Sequence, residues 1–183
     1  MTIRSAQELI DFWFSEAVQP MWFNASAQFD RDLREVYEHS CQAALTGELD
    51  HWAVSAQGSL ALVILLDQIP LNIWRGQAAG FAGEAPARRI ASAAIDAGFD
   101  QALSPEQKAF LYLPFMHSED LADQQRSVSL FTKADLTDNL RWARHHRDIV
   151  ARFGRFPHRN VILGRESTAE ELAWLASGEA FTG

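Results

Sequence analysis

The ten residues from 60 to 69 restrict the possible folds of this chain more than any other segment. Their sequence, LALVILLDQI, is apolar on nearly every face of a helix, and Pro70 follows it. A segment without a polar face must be buried on all sides, so it predicts a central core helix or, less favoured, a buried strand. We expect the helix to end at Pro70, because proline lacks the N–H group that a helix interior needs. The one charge in this segment, Asp67, is a candidate functional residue.

Helix capping signals divide the rest of the chain into further helices. Ser5 and Glu8 form a capping box, in which the serine hydroxyl and the glutamate side chain satisfy backbone N–H groups at a helix start. The first predicted helix begins at Ser5, the second runs from Phe29 to Leu45 before Gly47, and the third covers 60–69. The fourth runs from near Pro86 to Gly98, and the fifth begins at Ser104 and passes through Pro114. The sixth covers about 119–133, the seventh covers about 135–153 before Gly154, and the eighth begins with a capping box at Ser167 and Glu170 and ends at Gly178. Strand-like alternation is nowhere sustained, so we predict an all-α fold of about eight helices packed as antiparallel pairs in one domain over residues 1–183.

Composition and charge narrow the functional classes. The 183 residues are 48% hydrophobic and 22% charged, which is typical of a globular protein with a full core. A net charge of -8 argues against a nucleic-acid partner, because affinity for a polyanion depends on accessible cationic charge. The single cysteine, Cys41, is predicted to be a buried apolar residue. Acidic residues interrupt the N-terminal apolar segment and no uncharged run is long enough for a membrane span, so we expect no membrane partner and a cytoplasmic location.

Positive charge is concentrated between residues 141 and 165. This segment holds seven arginines and three histidines against one acid, Asp148, so it carries +6 and the other 158 residues carry -14. Arg141, Arg144 and Arg147 lie three residues apart and are predicted to form a solvated helix face. Gly154 and Pro157 break the helix after them.

The remaining arginines have two competing interpretations. Because guanidinium groups bind carboxylates and phosphates bidentately, they predict a pocket for a small anionic ligand. The candidate ligand-binding residues are Asp67, Arg75, Arg152, Arg155, His158, Arg159 and Arg165. In the structural alternative, the loop arginines pair with internal acids and hold helices together, because a buried arginine requires a partner. The acids available for that role are Asp67, Glu119, Asp120 and Asp123.

Three residues are candidates for acid–base catalysis. His117, Glu119 and His146 could converge, and a carboxylate oriented against an imidazole can form a general acid–base pair. In the structural alternative, Glu119 or Asp120 caps the next helix while His117 binds a backbone carbonyl. This alternative is favoured because residues in a capping position usually cap.

Signatures of metal and nucleotide chemistry are missing from the sequence. No HExxH or CxxC motif occurs, and the single Glu48-x-x-His51 lacks the second copy that a di-iron bundle needs. No GxxxxGK, GxGxxG or GxSxG motif occurs either. We therefore predict neither a metal nor a cofactor.

Three phrases carry a family resemblance. They are LDQIPLNIWRG at 66–76, FLYLPFMHSEDLADQQRSV at 110–128 and HRDIVARFGRFPHRNVILGR at 146–165. Together they resemble the bacterial domain-of-unknown-function family 924, which is assigned to the tetratricopeptide-like helical superfamily. The residues that match the family pattern are Asp67, Gln68, Arg75, Gly76, Pro114, Phe115, His117 to Asp120, Phe153 to Asn160, Gly164 and Arg165. This chain departs from the pattern at Leu71, where relatives usually carry arginine, and at Glu84, where aspartate is usual.

The resemblance implies a tetratricopeptide-like α-α superhelix and no particular activity. Two hypotheses of different class follow. In the first, the protein binds, and could turn over, a small anionic molecule in a pocket lined by arginine and histidine. In the second, the helical stack is a scaffold that binds a protein or peptide partner without catalysis. The sequence predicts no particular oligomeric state.

Overall fold

The computed structural model describes residues 3–178, and the regular elements of that part of the chain are all helical. This confirms the predicted all-α class, and the described residues form eight α-helices when the helix interrupted by a π turn is counted once. These helices are α1 (Ala6–Trp13), α2 (Ala27–Leu45), α3 (Ala56–Ile73), α4 (Glu84–Asp96), α5 (Pro105–Met116), α6 (Leu121–Lys133), α7 (Thr137–Phe153) and α8 (Ala169–Ala176). Short 3-10 turns occupy Gln19–Met21, Asp50–Val54, Ala78–Phe81, Phe99–Ala102 and Pro157–Arg159.

Residue contacts divide the chain into two compact units, Met1–Pro114 and Phe115–Gly183. In the first unit, α3 is the core helix and contacts α1, α2 and α4. Every residue from 58 to 70 of this helix is buried, as the predominantly apolar sequence of residues 60–69 predicts. The prediction of one domain over residues 1–183 remains a prediction.

The prediction that the core helix ends at Pro70 is wrong, because the helix continues to Ile73. Residues Ile64–Gln68 form a π turn, in which the Ile69 N–H donates to the Ile64 carbonyl five residues earlier. This turn shifts the hydrogen-bonding register and lets the helix pass the proline. In a regular helix, the Leu66 carbonyl would accept from an N–H at position 70, which Pro70 lacks. This carbonyl lies against Gly83, where any side chain would collide with it.

Most of the other predicted helix ends are confirmed, and one of these is wrong. The Ser5 capping box is present, Pro114 lies in the last turn of α5, and Gly154 ends α7 in the left-handed conformation. For the last helix, the sequence predicts a box of Ser167 and Glu170. The box is instead made by Thr168 and Glu171, one residue later. The buried carboxylate of Glu171 accepts from both the Thr168 N–H and Arg155, whereas Glu170 is exposed, and this favours the later start.

The second unit is a helical hairpin followed by a loop and a short helix. Helices α6 and α7 pack against each other, and only the three residues 134–136 separate them. After α7, residues 154–168 form a segment that we call the arginine loop, and α8 packs against its 3-10 turn at Pro157–Arg159. A small core of Ile149, Val150, Phe156 and Trp174 joins α7, the loop and α8.

Helix α3 is also long and apolar enough to cross a membrane by length and composition. Its mean hydropathy over 18 residues is 1.3, but 83% of that window is buried inside the protein. The helix therefore matches the core helix of a globular unit, because a lipid-facing span would leave its apolar side chains on the outside of the structure.

Candidate functional site

The arginine loop is held in place by ion pairs whose acids come from outside it. Arg155 binds Glu171 of α8 with two hydrogen bonds, from Nε to Oε1 at 2.7 Å and from an Nη to Oε2 at 2.8 Å. Glu171 is only 2% exposed and also caps α8 by accepting from the Thr168 N–H. The hydrogen bonds from Arg155 are the main cause that lowers the pKa of Glu171 to about 2, against the opposing effect of burial. This carboxylate therefore stays ionised and bound at neutral pH.

A second ion pair joins the end of the loop to the start of α6. Arg165 binds Glu119 in a bidentate fork, with N–O distances of 2.7 and 2.9 Å. The Phe156 N–H donates to the same carboxylate at 2.7 Å. Burial acts to raise the pKa of Glu119, but the hydrogen bonds from Arg165 and Phe156 outweigh it and lower this pKa below its ordinary value. Glu119 therefore acts as an anchor for the loop, in agreement with the structural alternative.

Asn160 connects the two ion pairs. Its side chain is fully buried, and its carbonyl oxygen accepts from Arg165 Nε at 3.0 Å. Its amide nitrogen donates to Ser167 Oγ at 3.1 Å and to Glu171 Oε2 at 3.2 Å. One continuous network thus runs from Glu119 through the loop to α8, and most of the bonding capacity of Arg155 and Arg165 is spent inside the protein.

Two histidines of the second unit are held neutral. His146 is 8% exposed, its Nδ1 lies 2.8 Å from the Trp142 carbonyl, and burial is the main cause that lowers its pKa to about 3. Burial also lowers the pKa of His158 to about 4, and the positive charge of Arg159 adds to that effect. Both rings pack against Phe156, with ring centroids 5.5 and 5.7 Å away.

Two further predicted residues of the second unit, Arg159 and His117, lie near these rings. Arg159 is 6% exposed and stacks over Phe156 with its guanidinium carbon 4.7 Å from the ring centroid. His117 is close enough to His146 to contribute to its lowered pKa. The structure thus brings His117, His146, His158, Arg159 and Glu119 into one electrostatically coupled group. Their catalytic and ligand-binding roles remain predictions.

Asp120, which was the alternative candidate for a cap, does cap α6. Its Oδ1 accepts from the N–H groups of Ala122 at 2.7 Å and Asp123 at 3.3 Å. This confirms the capping interpretation for Asp120, while Glu119 serves as the partner of Arg165.

Asp67 and Arg75 belong to the first unit. Asp67 is 1% exposed and accepts from the Gln68 amide at 2.5 Å. Arg75 donates to the Asp30 carboxylate from Nε at 2.8 Å and from Nη2 at 3.2 Å. Its Nη2 also donates to Asn72 Oδ1 at 3.0 Å. The hydrogen bond to Asp30 raises the pKa of Arg75 above its ordinary value. The chain thus divides the predicted ligand-binding residues between its two units.

Arg152 has a different setting from the other arginines of the basic segment. It lines a groove of about 440 Å³ between α7 and α8. The other residues that line this groove are His145, Asp148, Ile149, Phe153 and Trp174. Arg152 stacks over Phe153 at 4.7 Å, and its Nε binds Glu170 of α8 at 2.9 Å. Both partners of this pair are half or more exposed, so the pair contributes at most about 1 kcal/mol and can exchange with another acid.

Sequence reasoning found Arg152 but missed the rest of the groove. His145, Ile149 and Phe153 are spaced four residues apart on α7, and this helical period could have identified them as one face. Trp174 lies on another helix, so its position could come only from the packing of α8 against α7. Among residues 3–178, no group of three or more histidine, cysteine or acidic side chains is placed to hold a metal ion.

The fold and the site define an all-α protein in which a basic loop is tied to internal acids beside a partly apolar groove. The chain belongs to the family described as bacterial protein of unknown function, DUF924, whose model matches residues 9–179. It is similar to the structure of the protein of unknown function ATU0120 from Agrobacterium tumefaciens, with 46% sequence identity and a TM-score of 0.88. That alignment covers 93% of this chain and 96% of the other. No curated protein matches the chain.

Proposed function

We propose that this protein binds a small organic anion with an apolar body in the groove between α7 and α8. The observation that carries this proposal is the placement of Arg152 and His145 beside the apolar side chains of Ile149, Phe153 and Trp174 in one groove. A volume of about 440 Å³ is within the usual range of small-molecule sites. The ligand class that fits is a carboxylate attached to an aromatic or branched aliphatic group.

The ion pairs of the loop support Arg152 as the residue that binds the anion. Arg155 and Arg165 are already engaged by Glu171 and Glu119, and they act to fix the loop. Arg152 is held only by the exposed carboxylate of Glu170, with the two side chains 50% and 63% exposed. A ligand carboxylate can therefore replace Glu170 without uncovering a buried charge.

Titration of the protein with 3-phenylpropionate tests this function. The indole N–H resonance of Trp174, assigned by its loss in Trp174→Phe, should shift on binding because this ring lines the groove. Arg152→Gln should weaken binding about fivefold, because a charge-assisted hydrogen bond is lost from a partly exposed site. Glu170→Gln should strengthen binding by about threefold, because it removes the competing carboxylate.

Arg144→Gln is the matched control, because Arg144 is an exposed residue of the same helix that does not line the groove. It should leave the affinity unchanged. The proposal is wrong if the Trp174 resonance does not move at ligand concentrations up to about 10 mM, or if Arg144→Gln and Arg152→Gln weaken binding equally.

The alternative to a small-molecule ligand is a protein or peptide partner. An exposed aromatic residue with an arginine over it, next to the groove, supports this alternative. Trp142 is 40% exposed, and Arg141 stacks over it at 5.2 Å. An acidic peptide with one apolar anchor could place that anchor in the groove and its acids along α7. In that case Arg141→Gln should weaken binding of an acidic peptide that carries one phenylalanine, and 3-phenylpropionate should bind the wild type poorly.

We also infer a tetratricopeptide-like pairing of the helices and a cytoplasmic location. The family resemblance of the three polar phrases supports the first. The burial of α3 inside the protein and the acidic composition are compatible with the second.

A further inference from the structure

The groove between α7 and α8 contains a negative charge that a simple anion would not use. Asp148 lines the same groove as Arg152 and lies four residues before it on α7, which corresponds to a rise of about 6 Å along the helix. Opposite charges at this spacing commonly pair with each other. Here each has another partner, since Asp148 binds Arg147 and Arg152 binds Glu170.

Both of these partners leave the charges accessible to a ligand. The two hydrogen bonds from Arg147 to Asp148, at 2.9 and 2.6 Å, both end on Oδ1, and the Asp148 side chain is 65% exposed. The described bond from Arg152 to Glu170 uses Nε. Asp148 and Arg152 thus present one carboxylate and one guanidinium to the same groove, one helical turn apart.

An apolar wall lies next to this pair of charges. Ile149 and Trp174 are buried members of the small core, and Phe153 packs against them with its ring centroid 5.4 Å from that of Trp174. A ligand that fits all of these features carries an ammonium group, a carboxylate and a large apolar group in close proximity. A free α-amino acid carries all three on one carbon atom.

We infer that the ligand class of this groove is an α-amino acid with an aromatic or large aliphatic side chain. Its carboxylate binds Arg152, its ammonium group binds Asp148, and its side chain packs against Phe153 and Trp174. This inference rests on the proposed function and adds the positive charge of the ligand to it. A plain carboxylate in the same place is repelled by Asp148, whereas the zwitterion offsets that charge.

Comparison of phenylalanine, 3-phenylpropionate and phenethylamine tests the inference on the wild-type protein. The three compounds share the phenyl group and differ in their charged groups. Phenylalanine should bind about threefold more tightly than 3-phenylpropionate, because a partly exposed ion pair adds a modest gain. Phenethylamine should bind more weakly than phenylalanine. The shift of the Trp174 indole resonance reports all three.

Asp148→Asn should remove the advantage of phenylalanine over 3-phenylpropionate. The control is Asp138→Asn, which neutralises an exposed acid of α7 outside the groove and should leave the advantage intact. If phenylalanine and 3-phenylpropionate bind equally, or if Asp148→Asn preserves their difference, the amino-acid inference is wrong while anion binding at Arg152 stands. If neither 3-phenylpropionate nor phenylalanine binds, the proposed function fails as well.

Discussion

Asn160 is the residue on which both ion pairs of the arginine loop converge. Its carbonyl oxygen can only accept and its amide nitrogen can only donate, which matches the Arg165 donor on one side and the Glu171 acceptor on the other. No ionisable side chain of this size offers both functions at neutral pH. The buried amide therefore fixes the loop through its polarity as well as its shape.

Asn160→Asp should destabilise the protein by about 3 kcal/mol, because it places an acceptor against the Glu171 carboxylate in a buried site. Urea unfolding followed by circular dichroism measures the change. Asn139→Asp, near the N-terminus of α7, is the control and should have little effect, because a negative charge is favourable there. Equal stability of the two variants would show that the Asn160 amide does not carry this role.

At this scale, the sequence predicted which residues are unusual but not which ones bind each other. Arg165 lies 46 residues from its partner Glu119, and Arg155 lies 16 residues from Glu171. The sequence offers Glu119 as an acid for the loop arginines, but its pattern does not single out Glu171 for that role. Periodicity and spacing report neighbours on one element, so pairs formed between elements require the packing itself.

Helix α8 illustrates how a helix start is chosen. Both Ser167 and Thr168 are good N-cap residues, and both are followed three residues later by a glutamate. The structure uses Thr168 and Glu171, and the buried carboxylate of Glu171 that completes this capping box also binds Arg155. Tertiary contacts therefore decided between two starts that local capping rules treat as equal.

Thr168→Val should destabilise the protein by about 1 kcal/mol, because valine keeps the shape of threonine but cannot accept from the Glu171 N–H. Thr168→Ser retains the hydroxyl and should be close to wild type. Thermal unfolding compares them. A valine variant as stable as the serine variant would contradict the capping role of Thr168.

Helix α3 shows the other limit of prediction at the level of elements. Its existence and burial follow from its apolar sequence, but its passage through Pro70 depends on a π turn and on the close approach of Gly83. A single-sequence rule treats the proline as a break because it considers only regular α-helical hydrogen bonds. Elsewhere, the capping signals and glycines placed most of the helix ends within two residues.

For the molecule as a whole, the buried histidines predict a decrease in stability in mild acid. His146 and His158 have pKa values of about 3 and about 4 when folded, below the ordinary value of 6.5. Below pH 6.5 these histidines therefore bind protons in the unfolded chain but not in the folded protein. The free energy of unfolding consequently falls as the pH falls below 6.5. Glu171, whose pKa is about 2, adds a further loss only below its ordinary value of 4.5.

Urea unfolding at about pH 7.5 and pH 5.5 measures this effect, and each histidine should contribute about 1.4 kcal/mol to the difference. His146→Gln should reduce the difference by about half, even if the variant is less stable at both pH values. His39→Gln changes an exposed histidine and should leave the difference as in the wild type. A wild-type stability that is equal at the two pH values would contradict the neutral burial of these rings.

The bidentate pair of Glu119 and Arg165 also has a consequence for the descent of this family. Each side chain is about one-quarter exposed. Substitution of either one therefore leaves the other as an unpaired and poorly solvated charge. A single substitution at one of these positions is therefore costly, whereas a paired replacement by two well-packed neutral residues need not be. The two positions should be inherited as a unit, and lineages that lose one should have lost both.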